Sequence, residues 1–106
     1  MTSLSTHVLD AVTGTPSAGM SVVLTDADGT PVASGTTDDD GRARLAEELA
    51  AGTYRLLFRT GPWFAAAGRE TFYPEVAVAF SVGADRAHLH VPLLLSPFAY
   101  STYRGS

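Results

Sequence analysis

The chain has 106 residues, 45% of them hydrophobic and 17% charged, with a formal net charge of -4. This length suits one compact domain over residues 1–106 and leaves little for a second. Seven basic side chains against eleven acidic ones, with no basic block, exclude a phosphate-neutralising surface and hence a nucleic-acid partner, and the lack of cysteine excludes disulfides, a thiolate nucleophile and a Cys-built zinc site.

The opening MTSLSTHVLD lacks the basic and long apolar regions of a secretory signal, so a cytoplasmic location is expected. Leu4–Leu9 is short and suited to a strand, as is the Val-rich run Met20–Thr25, bounded by Gly19 and by Asp26, Asp28 and Gly29. Pro31–Thr37 follows the Asp-Ala-Asp-Gly turn and predicts a hairpin with a loop longer than two residues. A second turn, Asp38-Asp39-Asp40-Gly41, leads into the alternating Arg42–Leu45. Ala46–Ala51 is acidic and Ala-rich, and reads as a loop with room for one helical turn before Gly52. Thr53–Arg59 predicts a strand that ends at Gly61-Pro62, since proline offers no ladder donor.

Pro62–Gly68 predicts one short helix, with Pro at its start, three alanines and Gly at its end. Glu75–Val82 alternates with period two, and after the Gly83-Ala84-Asp85 turn Ala87–Leu95 gives the most strongly marked strand. Pro92 within that run predicts an edge position or a bulge. Tyr100–Ser106 closes the series as a last short strand. The whole predicts an all-β sandwich of seven to eight strands with one short helix. The longest apolar runs, such as Val91–Leu95, fall far short of the roughly 20 residues that span a bilayer, so no membrane partner is expected.

Histidine occurs at His7, His88 and His90 only. His88 and His90 lie two apart in the strongest strand and share a face, while Leu89 and Val91 point the other way. Two solvent-facing imidazoles on a half-exposed strand would need no further explanation. Three imidazoles could also ligate a transition metal, but close carboxylate partners are few, namely Asp10 and Asp85, and no metal is assigned. Asp38, Asp39 and Asp40 resemble a calcium loop only superficially: Gly41 comes too early and the downstream bidentate Glu is missing, so a solvated acidic turn is expected. Arg42, taken alone, is an exposed cation beside that turn. The ending Tyr103-Arg104-Gly105-Ser106 brings a guanidinium, a hydroxyl and the terminal carboxylate together if it is ordered.

LSTHVLD at residues 4–10, TDDDGR at 37–42 and above all HLHVPLLLSPFAYSTYRGS at 88–106 resemble the 5-hydroxyisourate hydrolases of the transthyretin-related family. GPWFAAAGRETFYPEV at 61–76 is similar to that family's short helix and following strand, and the likeness covers nearly the whole chain. The first half taken alone is also similar to noncatalytic β-sandwich modules of prealbumin-like type. Leu89 stands where many members have an aromatic residue, on the face opposite the histidines.

The resemblance implies a transthyretin-like sandwich, a homotetramer with active sites in a central channel, and a small-molecule substrate, 5-hydroxyisourate. Its lactam ring would be opened by water without a cofactor, giving 2-oxo-4-hydroxy-4-carboxy-5-ureidoimidazoline in urate degradation. Carried over by residue, the catalytic set is His7, Arg42, His90 and Ser106, and the substrate-binding set is Tyr103, Arg104 and Gly105. His90 or His7 would be the base that activates water, with Arg42 keeping the imidazole neutral and stabilising the oxyanion. His88 would be a supporting residue on the same face. Two alternatives from other classes are a transthyretin-like carrier of a small apolar molecule and a noncatalytic interaction module.

Overall fold

Alternating inward apolar and outward polar side chains build two facing β-sheets, seen in a computed structural model that describes residues 1–105. The first sheet contains β1 (Thr2–Asp10), β2 (Thr15–Pro16), β5 (Arg42–Leu49), β8 (His88–Ser96) and β9 (Ala99–Thr102). The second contains β3 (Ser21–Asp26), β4 (Pro31–Thr36), β6 (Gly52–Phe58) and β7 (Val76–Val82), in the order β4-β3-β6-β7. Helix α1 (Thr60–Ala66) links β6 to β7.

An all-β sandwich with one short helix is thus what the chain adopts, as expected. The β3–β4 hairpin forms as expected, from Ser21↔Thr36 to Thr25↔Pro31. The strand beyond the expected eight is the two-residue β2, which pairs with the end of β1.

Four residues of β1, Leu4, Thr6, Val8 and Asp10, face the core, as do Leu89, Val91, Leu93 and Leu95 of β8. They meet Val22 and Leu24 of β3 and Leu56 and Phe58 of β6 across the sandwich, with Phe64 of α1 in the same cluster. Burial of this apolar surface is the main favourable term in folding. Asp10 is the buried carboxylate of the set, at 2% exposure. Burial opposes its charge, but the Arg69 side chain at 2.6 Å and the N–H groups of Thr13 and Val12 outweigh it, and the carboxyl sits below its ordinary value. Arg69 also covers the Phe64 ring at 4.8 Å and so ties the segment after α1 to β1.

Three expectations are corrected. Within Ala46–Ala51 only Ala50 and Ala51 form the expected loop, because β5 continues to Leu49, which pairs with Thr2 and is buried. Irregular register between β1 and β5 around Leu4 absorbs the two consecutive glutamates, Glu47 and Glu48. Pro92 does not mark an edge strand, because β8 lies between β1 and β9. The register Leu93↔Thr102 sets Tyr103 opposite Pro92 and Gly105 opposite His90. β9 therefore ends at Thr102, where the missing Pro92 N–H breaks the ladder, and one bond resumes beyond it from Gly105 N–H to the His90 carbonyl at 2.8 Å. Helix α1 begins two residues earlier than expected and places Pro62 third in its first turn, where the proline still costs no helical bond.

Candidate active site

The first and last long strands, β1 and β8, run parallel and adjacent, with Ser3↔His88, Ser5↔His90 and His7↔Pro92 in register. Across β1, β5 pairs His7 with Arg42 and Ser5 with Arg44. Paired residues share a face, so strand alternation collects Ser5, His7, His88, His90 and Arg42 on the outer side of the first sheet. This is the side away from the hydrophobic core.

The His7 and His90 rings have centroids 6.5 Å apart. His7 Nε2 lies 2.8 Å from the Asp40 carbonyl oxygen, which fixes the neutral ring as the Nε2–H tautomer with its Nδ1 lone pair free. His90 Nδ1 lies 2.8 Å from Ser5 Oγ, and its Nε2 has no hydrogen-bond partner among the described residues. Partial burial first, then the charges of Arg42, His7 and His88, push the His90 imidazolium to a pKa below its ordinary value of 6.5. His90 is accordingly neutral at neutral pH and able to accept a proton.

The acidic turn is exposed, as expected, but it also has structure. Asp38 Oδ1 accepts from the N–H groups of Asp40 at 2.9 Å and Arg42 at 3.0 Å, and Gly41 adopts a left-handed φ of 75°. A side chain at 41 would run into the Val8 carbonyl. This turn aims the Asp40 carbonyl at His7 and starts β5 with Arg42 in place. Ion pairs among the described residues join Arg44 to Glu47, Arg59 to Glu75 and Arg69 to Asp10, which leaves the Arg42 guanidinium without a carboxylate. Arg42, Arg44, Asp38, Ser5 and His90 border an open depression of about 430 Å³.

Gly105 closes the other side of His90. A Cβ there would lie 2.7 Å from His90 Cδ2 and 3.2 Å from Cγ, so glycine lets the chain pass against the imidazole. Tyr103 and Arg104 do not border that depression: they line an apolar groove of about 290 Å³ with Val78 and Phe80 of β7 and with Leu89 and Val91 of β8. Ser106, expected among the catalytic residues, lies outside the described residues. Among the described residues no three His, Asp or Glu side chains cluster as a metal site.

Sequence reading missed Ser3 and Ser5. Ser3 Oγ is 2.6 Å from His88 Nδ1, and Ser5 Oγ is 3.1 Å from His88 Nε2 as well as hydrogen-bonded to His90. The signal was the alternation of Ser3, Ser5 and His7 along β1. What it lacked was the parallel partner that puts these hydroxyls beside the imidazoles.

Residues 4–105 match the sequence profile of the HIUase/Transthyretin family. The chain belongs to this family. It is 47% identical over 109 residues to a 5-hydroxyisourate hydrolase of Salmonella typhimurium, covering 97% of this chain and 80% of the relative. The structure of Klebsiella pneumoniae 5-hydroxyisourate hydrolase matches with a TM-score of 0.90 at 43% identity, covering 98% of this chain and 99% of the other. Sea bream transthyretin in complex with thyroxine matches with a TM-score of 0.89 at 34% identity, over 96% and 93% of the two chains.

Proposed function

We propose that this family member is a hydrolase that opens the six-membered lactam ring of 5-hydroxyisourate. The observation that carries the reading is the convergence, on one sheet face, of a neutral imidazole with a nitrogen uncommitted among the described residues, a second imidazole of fixed tautomer, and a guanidinium with no carboxylate partner among those residues. High identity to curated hydroxyisourate hydrolases supplies the substrate.

The chemistry follows from the groups present. The two rings, 6.5 Å apart, hold the attacking water in this reading, with His90 Nε2 as the nitrogen that accepts its proton. His90 takes a proton as the water oxygen attacks the lactam carbonyl, and Arg42 stabilises the oxyanion that forms. When the C–N bond breaks, the His90 imidazolium returns its proton to the departing nitrogen. Ring opening then yields the ureidoimidazoline carboxylate in urate degradation. Every step is a proton transfer or an electrostatic contact made by side chains, so the mechanism calls on no cofactor.

Gly105 lets His90 sit against the chain's tail, while Tyr103, Arg104 and Ser106 complete substrate binding. Tyr103 and Arg104 border the apolar groove between β7 and β8 rather than the depression beside His90, and their role fits an assembled homotetramer in which the tail of one subunit borders the site of another. A cytoplasmic location goes with this reading; no helix among the described residues is long and apolar enough to cross a membrane.

A carrier of small apolar molecules is the second reading, favoured by the apolar groove between β7 and β8. Two imidazoles and a guanidinium on the opposite face speak for catalysis, because carrier pockets are lined mostly by apolar groups. Ultraviolet decay of freshly generated 5-hydroxyisourate separates the two. The hydrolase accelerates decay at catalytic concentrations and loses that acceleration, while still folding, when residues 104–106 are deleted. A chain that leaves the spontaneous rate unchanged is not this hydrolase.

A further inference from the structure

Behind His90 the outer face carries an unbroken line of polar atoms: His90 Nδ1, Ser5 Oγ, His88 Nε2, His88 Nδ1 and Ser3 Oγ. The successive separations between residues are 2.8, 3.1 and 2.6 Å. The line ends at the Ala87 carbonyl, 3.4 Å from Ser3 Oγ. Ser5 has a single hydroxyl proton, so it can donate to only one of the two imidazoles at a time. In one order, His90 Nδ1–H donates to Ser5, Ser5 to His88 Nε2, His88 Nδ1–H to Ser3, and Ser3 to the Ala87 carbonyl. In the other, Ser3 donates to His88 Nδ1, His88 Nε2–H to Ser5 and Ser5 to His90 Nδ1, so that His90 presents an N–H at Nε2.

We infer that Ser5 and His88 form a proton relay that holds His90 as the Nδ1–H tautomer and passes the positive charge it acquires to the exposed His88 ring. The inference rests on the hydrolase reading and adds two positioning residues to it. The first order leaves a lone pair on His90 Nε2, the nitrogen the hydrolysis needs bare, and gives the Ser5 proton its acceptor at His88 Nε2.

The balance is simple. Water gives a proton to His90 Nε2. The His90 Nδ1 proton passes to Ser5 Oγ as the Ser5 proton passes to His88 Nε2. His90 is left neutral with its proton on Nε2, and His88 becomes the imidazolium. His88 is exposed whereas His90 is half-buried, so the charge moves from the poorly solvated ring to the well solvated one. Return of the same protons delivers one to the departing lactam nitrogen. The charged and titratable groups facing His90 are His7 of β1, Arg42 and Arg44 of β5 and Asp38 of the turn before it, besides His88 on its own strand. None of these bridges the two imidazoles as Ser5 does.

Long-range nitrogen–proton correlation spectra of histidine-labelled protein, recorded above the imidazole titration, read the tautomer directly. The expected result is protonated Nδ1 and bare Nε2 at His90, lost in Ser5→Ala and retained in Ser5→Thr, which keeps the hydroxyl. Partners that orient ligand imidazoles are worth about 10–100-fold, so kcat should fall by about that factor in Ser5→Ala with KM little changed. Ser5→Thr should restore most of it. A wild-type His90 protonated at Nε2, an Ser5→Ala enzyme with unchanged spectra and kcat, or an Ser5→Thr enzyme as impaired as Ser5→Ala, would each overturn the relay. Because the spectra need no substrate turnover, failure of the relay is told apart from failure of the hydrolase reading.

Discussion

Strand β8 has two faces that differ by one residue step. Outward it shows His88 and His90, tied to hydroxyls of β1; inward it shows Leu89, Val91, Leu93 and Leu95, packed among the apolar side chains of the second sheet. The same ladder of backbone bonds holds both, yet one face carries charge-changing groups and the other carries hydrophobic burial. A two-residue period therefore separates chemistry from stability within a single strand, and substitutions on the two faces should fail in different ways.

The sharpest test of that separation lies on the outer face. His90→Ala or Arg42→Ala should lower turnover of hydroxyisourate by about 10²–10⁴-fold, the usual worth of a general acid–base group. Thermal or denaturant unfolding should change by no more than about 0.5 kcal/mol, as for other substitutions outside the core. Equal losses of activity and stability would dissolve the distinction.

On the inner face, Leu93→Ala should cost about 2–5 kcal/mol of unfolding free energy, because Leu93 is fully buried and its removal leaves a cavity. Activity per folded molecule should hold at temperatures where the variant stays native. Gly105→Ala probes the boundary between the faces: its methyl group displaces the His90 ring, and a misplacement of that kind can cost up to about 10²-fold in kcat. Circular dichroism of this variant should match that of the parent chain.

The smallest effect expected is on pH dependence. His90 is held below its ordinary 6.5 by burial first and by Arg42 next, so the acid limb of kcat/KM should lie below that value. The base is lost as pH falls through the lowered pKa, not through the ordinary one. Replacing the guanidinium by Arg42→Gln should move the limb upward, and a limb that stays put would remove Arg42 as its cause.

Much of this was legible in the sequence because alternation is a local signal. The outward histidines, the inward Leu89 and Val91, the short helix and the turns at Gly29 and Gly41 all follow from neighbours within a few residues. Non-local pairing was not legible. Ala46–Leu49 has the composition of a helix, but Leu45 and Leu49 are both drawn into the core and β1 supplies the ladder, so tertiary contacts override propensity. Pro92 looked like an edge marker because the sequence does not reveal that β9 stops pairing beside it. Ser5 drew no attention for the same reason: a serine in a strand gains chemical meaning only once the strand from the far end of the chain lies alongside.

The parallel pairing of β1 with β8 carries one more consequence. Ser5 and His90 are 85 positions apart, and the hydroxyl-imidazole contacts all bridge comparable distances along the chain. Closing so long a loop is slow and gains nothing until it is complete. During synthesis a nascent chain can fold its β3–β4 hairpin early, but it stays chemically inert until its final strand has left the ribosome, so a truncated product should have no hydrolytic activity to misdirect.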